Sequence, residues 1–223
     1  MNGPIRVFKG FSMGYCQVKQ SKQGQRGFSM VEVAVTLAVL GILMASAMPS
    51  MGAWMVNARI RNTAESIQEG LQKARAEAVR RNQNVTFWMV TTADPKVLSD
   101  DCTTSATGGS WVVSLTDPTS KCSVAPSTTT APQTVAARPI GDGGSGVTVS
   151  AKQRDGIAVA TSITFNAFGQ VANAGPIGQI QVNDGTTGDD HRKYKIVISS
   201  GGRTLVCDEA VISTTDPRFC PAS

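Results

Sequence analysis

The sequence predicts an α+β protein in which one long N-terminal helix is followed by short β-strands that pack against it. Three observations carry this expectation. Residues 33–54 contain no charged side chain. Residues 57–81 repeat apolar and small side chains at helical spacing. Beyond them, short alternating segments are separated by polar, glycine-rich stretches.

The elements follow in order. Arg6, Lys9, Lys19, Lys22 and Arg26 precede the uncharged run with no acidic residue among them. Set aside, they leave basic side chains equal in number to the 16 acidic ones, so the net charge of +5 resides in this prefix and does not mark a general nucleic-acid binder. Cations before an apolar run hold that end in the cytoplasm and send the remainder across. The run of roughly 22 residues would be roughly 33 Å long as a helix, enough for a bilayer core of about 30 Å. Glu32 stands at its edge, where an unpaired carboxylate costs a few kcal/mol. Trp54, at the other end, suits a membrane interface. Ala45-Ser46-Ala47 imitates an ordinary signal-peptidase site, but inside the apolar run and not after it. Met13 offers a second initiator.

The helix is expected to continue through residues 57–81. Ile60, Ala64, Ile67, Leu71, Ala74 and Ala78 recur at spacings of three and four and form one stripe, narrow enough for close packing on a sheet. Arg61–Glu65, Glu69–Lys73 and Lys73–Glu77 stand four apart, as helical ion pairs do. Gly41 and Pro49 are the weak points, and Pro49 is expected to kink the helix. Strands are expected at 85–90, 111–115, 146–151, 162–166, 179–183, 194–199 and 203–207, with Gly201-Gly202 turning the last pair into a hairpin. Trp88 and Trp111 read as core side chains. The stretches 91–110 and 116–144 are Ser-, Thr-, Pro- and Gly-rich and receive no assignment.

Of five cysteines, Cys16 belongs to the prefix, and Cys102, Cys122, Cys207 and Cys220 all follow the apolar run. An even number beyond a membrane span points to disulfides, with three pairings open. The sequential one would close a local loop and a C-terminal hairpin. A zinc site is the alternative, but the chain has no CxxC and His191 is its single histidine.

Arg26-Gly27-Phe28-Ser29-Met30-Val31-Glu32, with a basic leader before it and an apolar span after it, resembles the class III signal of type IV pilins and type II secretion pseudopilins. The segment AESIQEGLQKARAEAVRRN over 64–82, SITFNAFG over 162–169, and the late Gly202-Arg203 strand ending at Cys207 narrow the resemblance to minor pseudopilins of the GspH and FimT/FimU type. The resemblance implies a pilin-like fold, with the long helix packed on antiparallel β-sheets of a globular head. It implies a leader over 1–27, an assembly helix over 28–56 and a periplasmic domain over 57–223. A prepilin peptidase would cut between Gly27 and Phe28 and methylate the new amine of Phe28. Glu32 would neutralise that amine in its own or a neighbouring subunit and so set register in the filament. Its implied partners are other major and minor pilins, the peptidase, an inner-membrane assembly platform and membrane lipid; low-abundance members start assembly and form the tip complex. No cofactor is implied.

FimT-like members bind DNA through a C-terminal Gly-Arg-x-Arg motif. Here the positions read Gly202-Arg203-Thr204-Leu205, lacking the second arginine. Arg192, Lys193, Lys195 and Arg218 would add cations; Asp189, Asp190, Asp208, Glu209 and Asp216 would oppose them. No catalytic constellation stands out. His191 has carboxylates beside it but no nucleophile motif and reads as a solvated surface histidine. The GDGGSG stretch at 141–146 lacks the lysine of a phosphate loop and reads as a flexible turn. Two functions remain, a filament subunit and a nucleic-acid-binding module displayed by a filament.

Overall fold

The computed structural model describes residues 27–141, 146–186 and 191–221, with 45–50 described by backbone alone. The expectations for the leader over 1–26, Ala45-Ser46-Ala47, the side chain of Pro49, residues 142–145 of the glycine-rich stretch, and Asp189 and Asp190 lie outside the described residues. Helix α1 spans Met30–Arg81. The chain divides into two compact units, one ending at Ser46 and one beginning at Ala47.

In the first unit, every described side chain from 27 to 44 is exposed, and Val31, Leu37, Ile42 and Leu43 are among them. A helix that is apolar on all sides gains nothing from water, so its sequence anticipates lipid or protein around it. Among the described residues no helix is long and apolar enough to cross a membrane.

In the second unit, α1 ends at Arg81 for a local reason. Asn82 adopts a left-handed φ of 52°, and the Gln83 amide donates to the Ala78 carbonyl at 3.2 Å. A left-handed residue after the last turn with a bond back to an orphan carbonyl is how many helices stop. Nine strands follow among the described residues: β1 (Val85–Thr91), β2 (Thr103–Thr104), β3 (Ser110–Ser114), β4 (Ala136–Arg138), β5 (Thr148–Lys152), β6 (Ser162–Phe165), β7 (Gln179–Asn183), β8 (Tyr194–Ile198) and β9 (Thr204–Asp208). All pair antiparallel. One sheet runs β2-β1-β3-β4, with β6 also on β1; the other runs β5-β7-β8-β9.

The expected stripe of α1, Ile60, Ala64, Ile67, Leu71, Ala74 and Ala78, is wholly buried. It joins one core with Val85, Phe87, Met89, Trp111 and Ile163 of the first sheet and Val149, Ile180, Val182, Ile196 and Ile198 of the second. Each fully buried large aliphatic or Phe side chain contributes about 1.5–3 kcal/mol. Gly70 makes the helix–sheet approach close: a Cβ there would lie 2.7 Å from Phe87 and 2.8 Å from Trp111. The Trp111 indole N–H donates to Ser66 Oγ at 3.1 Å.

The described parts of the two unassigned stretches add β2 and β4 to the first sheet and cover its outer face through Leu98, Cys102 and Cys122. Alternation sends Phe87 and Met89 inward and Trp88 and Val90 outward, and Val112 lies opposite Trp88. Val90, Val112, Cys102 and Cys122 form a second small cluster, with Trp88 and Leu98 against it. The Cys102–Cys122 disulfide thus covers this face, and Asp100 accepts from both the amide and the hydroxyl of Ser123 across the bridged loops. The second disulfide, Cys207–Cys220, holds the C-terminal segment to β9. The sequential pairing is therefore the one formed. Loops of 20 and 13 residues predict about 3 kcal/mol from each by chain entropy.

The expected ion pairs need one correction. Arg61–Glu65 forms at 2.7 Å. Glu69 instead reaches Arg138 of β4 at 3.0 Å, and Glu77 takes both Arg80 and Arg81. Guanidiniums on a neighbouring strand and in the last helical turn out-compete Lys73, which a helical wheel alone does not reveal.

Candidate functional site

At the N-terminal end, Gly27, Phe28 and Ser29 lie outside the helix, and Phe28 is 82% exposed. A Cβ on Gly27 would meet nothing within 4 Å. Among the described residues nothing therefore requires glycine at 27. Glu32 sits in the first turn of α1, where the helix dipole favours a negative charge. Ser29 and Glu32 have the Ser-x-x-Glu spacing of a capping box, and the Ser29 carbonyl accepts from the Val33 amide. That local signal is present in the sequence beside the peptidase-like motif and was masked by it. A Cβ on Gly41 also meets nothing within 4 Å, and α1 runs on through it.

Within the second unit, three segments meet at Arg75. Its Nε donates to the Gly169 carbonyl at 3.0 Å and its Nη2 to the Gly201 carbonyl at 3.4 Å. Gly169 closes the turn after β6, where Asn166 Oδ1 accepts from the Phe168 and Gln170 amides. Gly202, in the β8–β9 hairpin, has a φ of 76°, and a Cβ there would stand 2.1 Å from the Gly169 carbonyl oxygen. The SITFNAFG and Gly202-Arg203 segments, far apart in sequence, are thus one structural junction fastened to the helix. Phe168 projects from it, 82% exposed.

The cationic residues do not form one patch. Arg203 follows the junction and lines a groove of about 520 Å³ with Arg154, Ser199, Leu205 and Pro221. Arg192 and Lys193 lie beyond the opposite end of β8, a five-residue strand, so roughly 16 Å away. There Arg192 pairs with the buried Asp208 at 3.2 Å, Lys195 with Glu209 at 2.6 Å and Arg218 with Asp216 at 2.8 Å. The acidic residues oppose these cations one to one. His191 is paired as well, not simply solvated: its Nδ1 lies 2.6 Å from Asp184 Oδ2, and Thr186 donates to the same carboxylate.

The Asp216 pair yields a pH prediction. Hydrogen bonds from the Arg218 side chain and then its amide hold the Asp216 carboxyl at about 2, against an ordinary 3.8. A depressed folded value means the contribution to stability is complete above the unfolded value and fades as pH falls through about 2. In Arg218→Ala the Asp216 carboxyl is expected by NMR to titrate above about 2, moving toward its ordinary 3.8 but held below it by the amide of residue 218. An unmoved midpoint would show that the guanidinium is not the cause.

With the geometry in view, comparisons with known proteins add the family. The model described as "Type II transport protein GspH" matches residues 63–202, more than half of the chain. The chain belongs to the GspH family. The prokaryotic N-terminal methylation motif matches residues 22–48 of this same GspH-family chain. Together they identify a minor pilin or pseudopilin by family, and the α+β fold with a helix on antiparallel sheets is the one that resemblance implies. A crystal structure of the type IV minor pilin FimU from Pseudomonas aeruginosa (strain PAO1) is similar over 66% of this chain and 90% of that one, at 16% identity and a TM-score of 0.37. No curated protein matches. The GspH match begins at Thr63, where α1 starts to bury its stripe, and ends at Gly202 of the junction.

Proposed function

We propose that this GspH-family chain is a minor pilin or pseudopilin of a type IV pilus or type II secretion pseudopilus. It is inserted in the bacterial inner membrane with its head in the periplasm and its basic leader in the cytoplasm. Prepilin peptidase cuts between Gly27 and Phe28 and methylates the amine of Phe28. The subunit then passes, through the assembly platform, into a filament with other pilins, where it helps start assembly and form the tip complex. One observation supports this above others: a methylation motif over 22–48 covers the start of a helix whose described side chains up to residue 44 are all exposed, ahead of a disulfide-linked GspH head. Such a helix needs lipid before assembly and neighbouring helices after it.

In this reading Glu32 meets the charged amine of Phe28 on a neighbour, since each charge left alone at an apolar site is costly. Glu32→Ala is expected to leave processing intact while lowering recovery in sheared filaments about tenfold. Equal recovery of the variant and the parent would remove the pairing role.

A second reading, DNA binding at the filament surface, is favoured by the groove at the hairpin. Leu205 stands where the motif has its second arginine, but Arg154 lines the same groove as Arg203 and supplies a second cation there. Full-length protein in detergent is expected to retard DNA in gels in a salt-dependent way and to lose most of that retardation in Arg203→Ala. Retardation that is absent, or indifferent to this change, would discard the DNA reading and leave the filament role standing.

A further inference from the structure

The second unit carries a further groove, at the end of the head where α1 enters it. Trp54, Asn57, Arg61, Glu65, Arg192 and Tyr194 line about 560 Å³, and the groove runs on into one of about 340 Å³ that adds Arg218. Trp54 closes the uncharged run and is 69% exposed, with Met51 and Met55 exposed beside it in sequence. Asn57 lies one turn further along, about 4.5 Å by helical rise. Its Oδ1 accepts the Arg192 amide at 2.8 Å, which pins the start of the β8 segment to the helix at that level. Arg61 follows one turn later.

We infer that this groove holds the phosphate of an anionic phospholipid, with Arg61 and Arg192 as its cations and Trp54 as its interfacial anchor. The inference rests on the membrane-anchored reading above and goes beyond it by assigning a headgroup site. With Trp54 at the edge of the hydrocarbon core, Asn57 and the pinned Arg192 fall within the headgroup layer, which is about 5–7 Å deep on each side. Arg61, one turn above, lines the same groove as Arg192. Both guanidiniums are already oriented: Arg61 holds Glu65 through Nε and Arg192 holds Asp208 through Nη1. A guanidinium has five N–H donors, so terminal N–H groups remain for a phosphate, whose geometry they match. Glu65 and Asp208 are each balanced by one of these arginines, and the apolar ring of Trp54 beside them suits a lipid better than a free anion. Each basic residue at an anionic leaflet raises association on the order of fivefold.

The test uses the full chain in nanodiscs of phosphatidylcholine with and without phosphatidylglycerol, read by native mass spectrometry of retained lipid. Phosphatidylglycerol is expected to be retained over phosphatidylcholine, and Arg61→Gln to lower that retention about fivefold. Arg61 is exposed and pairs with Glu65 four residues along the same helix, so folding is not at stake. Arg192→Lys keeps the pair with Asp208 and is expected to retain most of the binding. Equal retention of both lipids, or retention unchanged in Arg61→Gln, would overturn the site. Displacement of the lipid by millimolar glycerol phosphate would overturn it as a lipid site and mark a soluble phosphate ligand instead. A chain that does not enter nanodiscs at all would fail earlier, by removing the anchor itself.

Discussion

Gly202→Ala is expected to lower the melting temperature of the head by roughly 10 °C. The residue has a φ of 76°, where a Cβ costs about 1–2 kcal/mol, and that Cβ would stand 2.1 Å from the Gly169 carbonyl oxygen and 3.1 Å from Arg75 Nε. The first of these is backbone and the second is hydrogen-bonded to it, so relief requires the hairpin to separate from the turn after β6. Overpacking of this kind adds about 1–3 kcal/mol, and a domain of this size loses roughly 2–4 °C per kcal/mol. Gly201→Ala is the control, since its nearest neighbour would be 4.0 Å away. Circular dichroism melts of the two variants decide the matter. Equal melting temperatures would mean that the junction at Arg75 does not hold the sheets to the helix.

Gly27→Val is expected to stop maturation, leaving the protein at its precursor mass in the membrane fraction. A Cβ at 27 meets nothing within 4 Å among the described residues, so the substitution leaves the described fold alone. Any need for glycine there belongs to an enzyme pocket sized for hydrogen, and a pocket that rejects added carbon discriminates by about tenfold or more. Intact-mass measurement in cells that contain the peptidase reads the outcome. Processing at the parent rate would place the cleavage site elsewhere or nowhere.

How far the sequence reveals this molecule depends on which contacts are periodic. The buried stripe from Ile60 to Ala78 and the seven longer strands were legible because one packed face imposes a fixed spacing on apolar residues. Their observed bounds lie within two residues of the expected ones. The strands β2 and β4 were not legible. Thr103–Thr104 and Ala136–Arg138 are too short to alternate, and they pair only because β1 and β3 present edges to them. Gly70 carries no signal of its own in the sequence, yet it is the opening into which Phe87 and Trp111 fit.

At the candidate sites the same distinction holds. Gly27, Phe28 and Glu32 are adjacent in sequence, so their motif is visible without a fold. Arg75, Gly169 and Gly202 are brought together only by tertiary structure, and no spacing announces them. The basic residues near the C-terminus look like one cluster in sequence because Arg192 and Arg203 are close along the chain. A hairpin places them at opposite ends of β8, and carboxylates on neighbouring segments meet most of the others.

The account rests on the chain being cut and modified ahead of its apolar helix. Top-down mass spectrometry of the protein purified from sheared filaments tests this most directly. The expected result is a single species beginning at Phe28, carrying one methyl group on its amine and two intact disulfides. A species that retains the residues before Phe28, or begins beyond the apolar run, would contradict it.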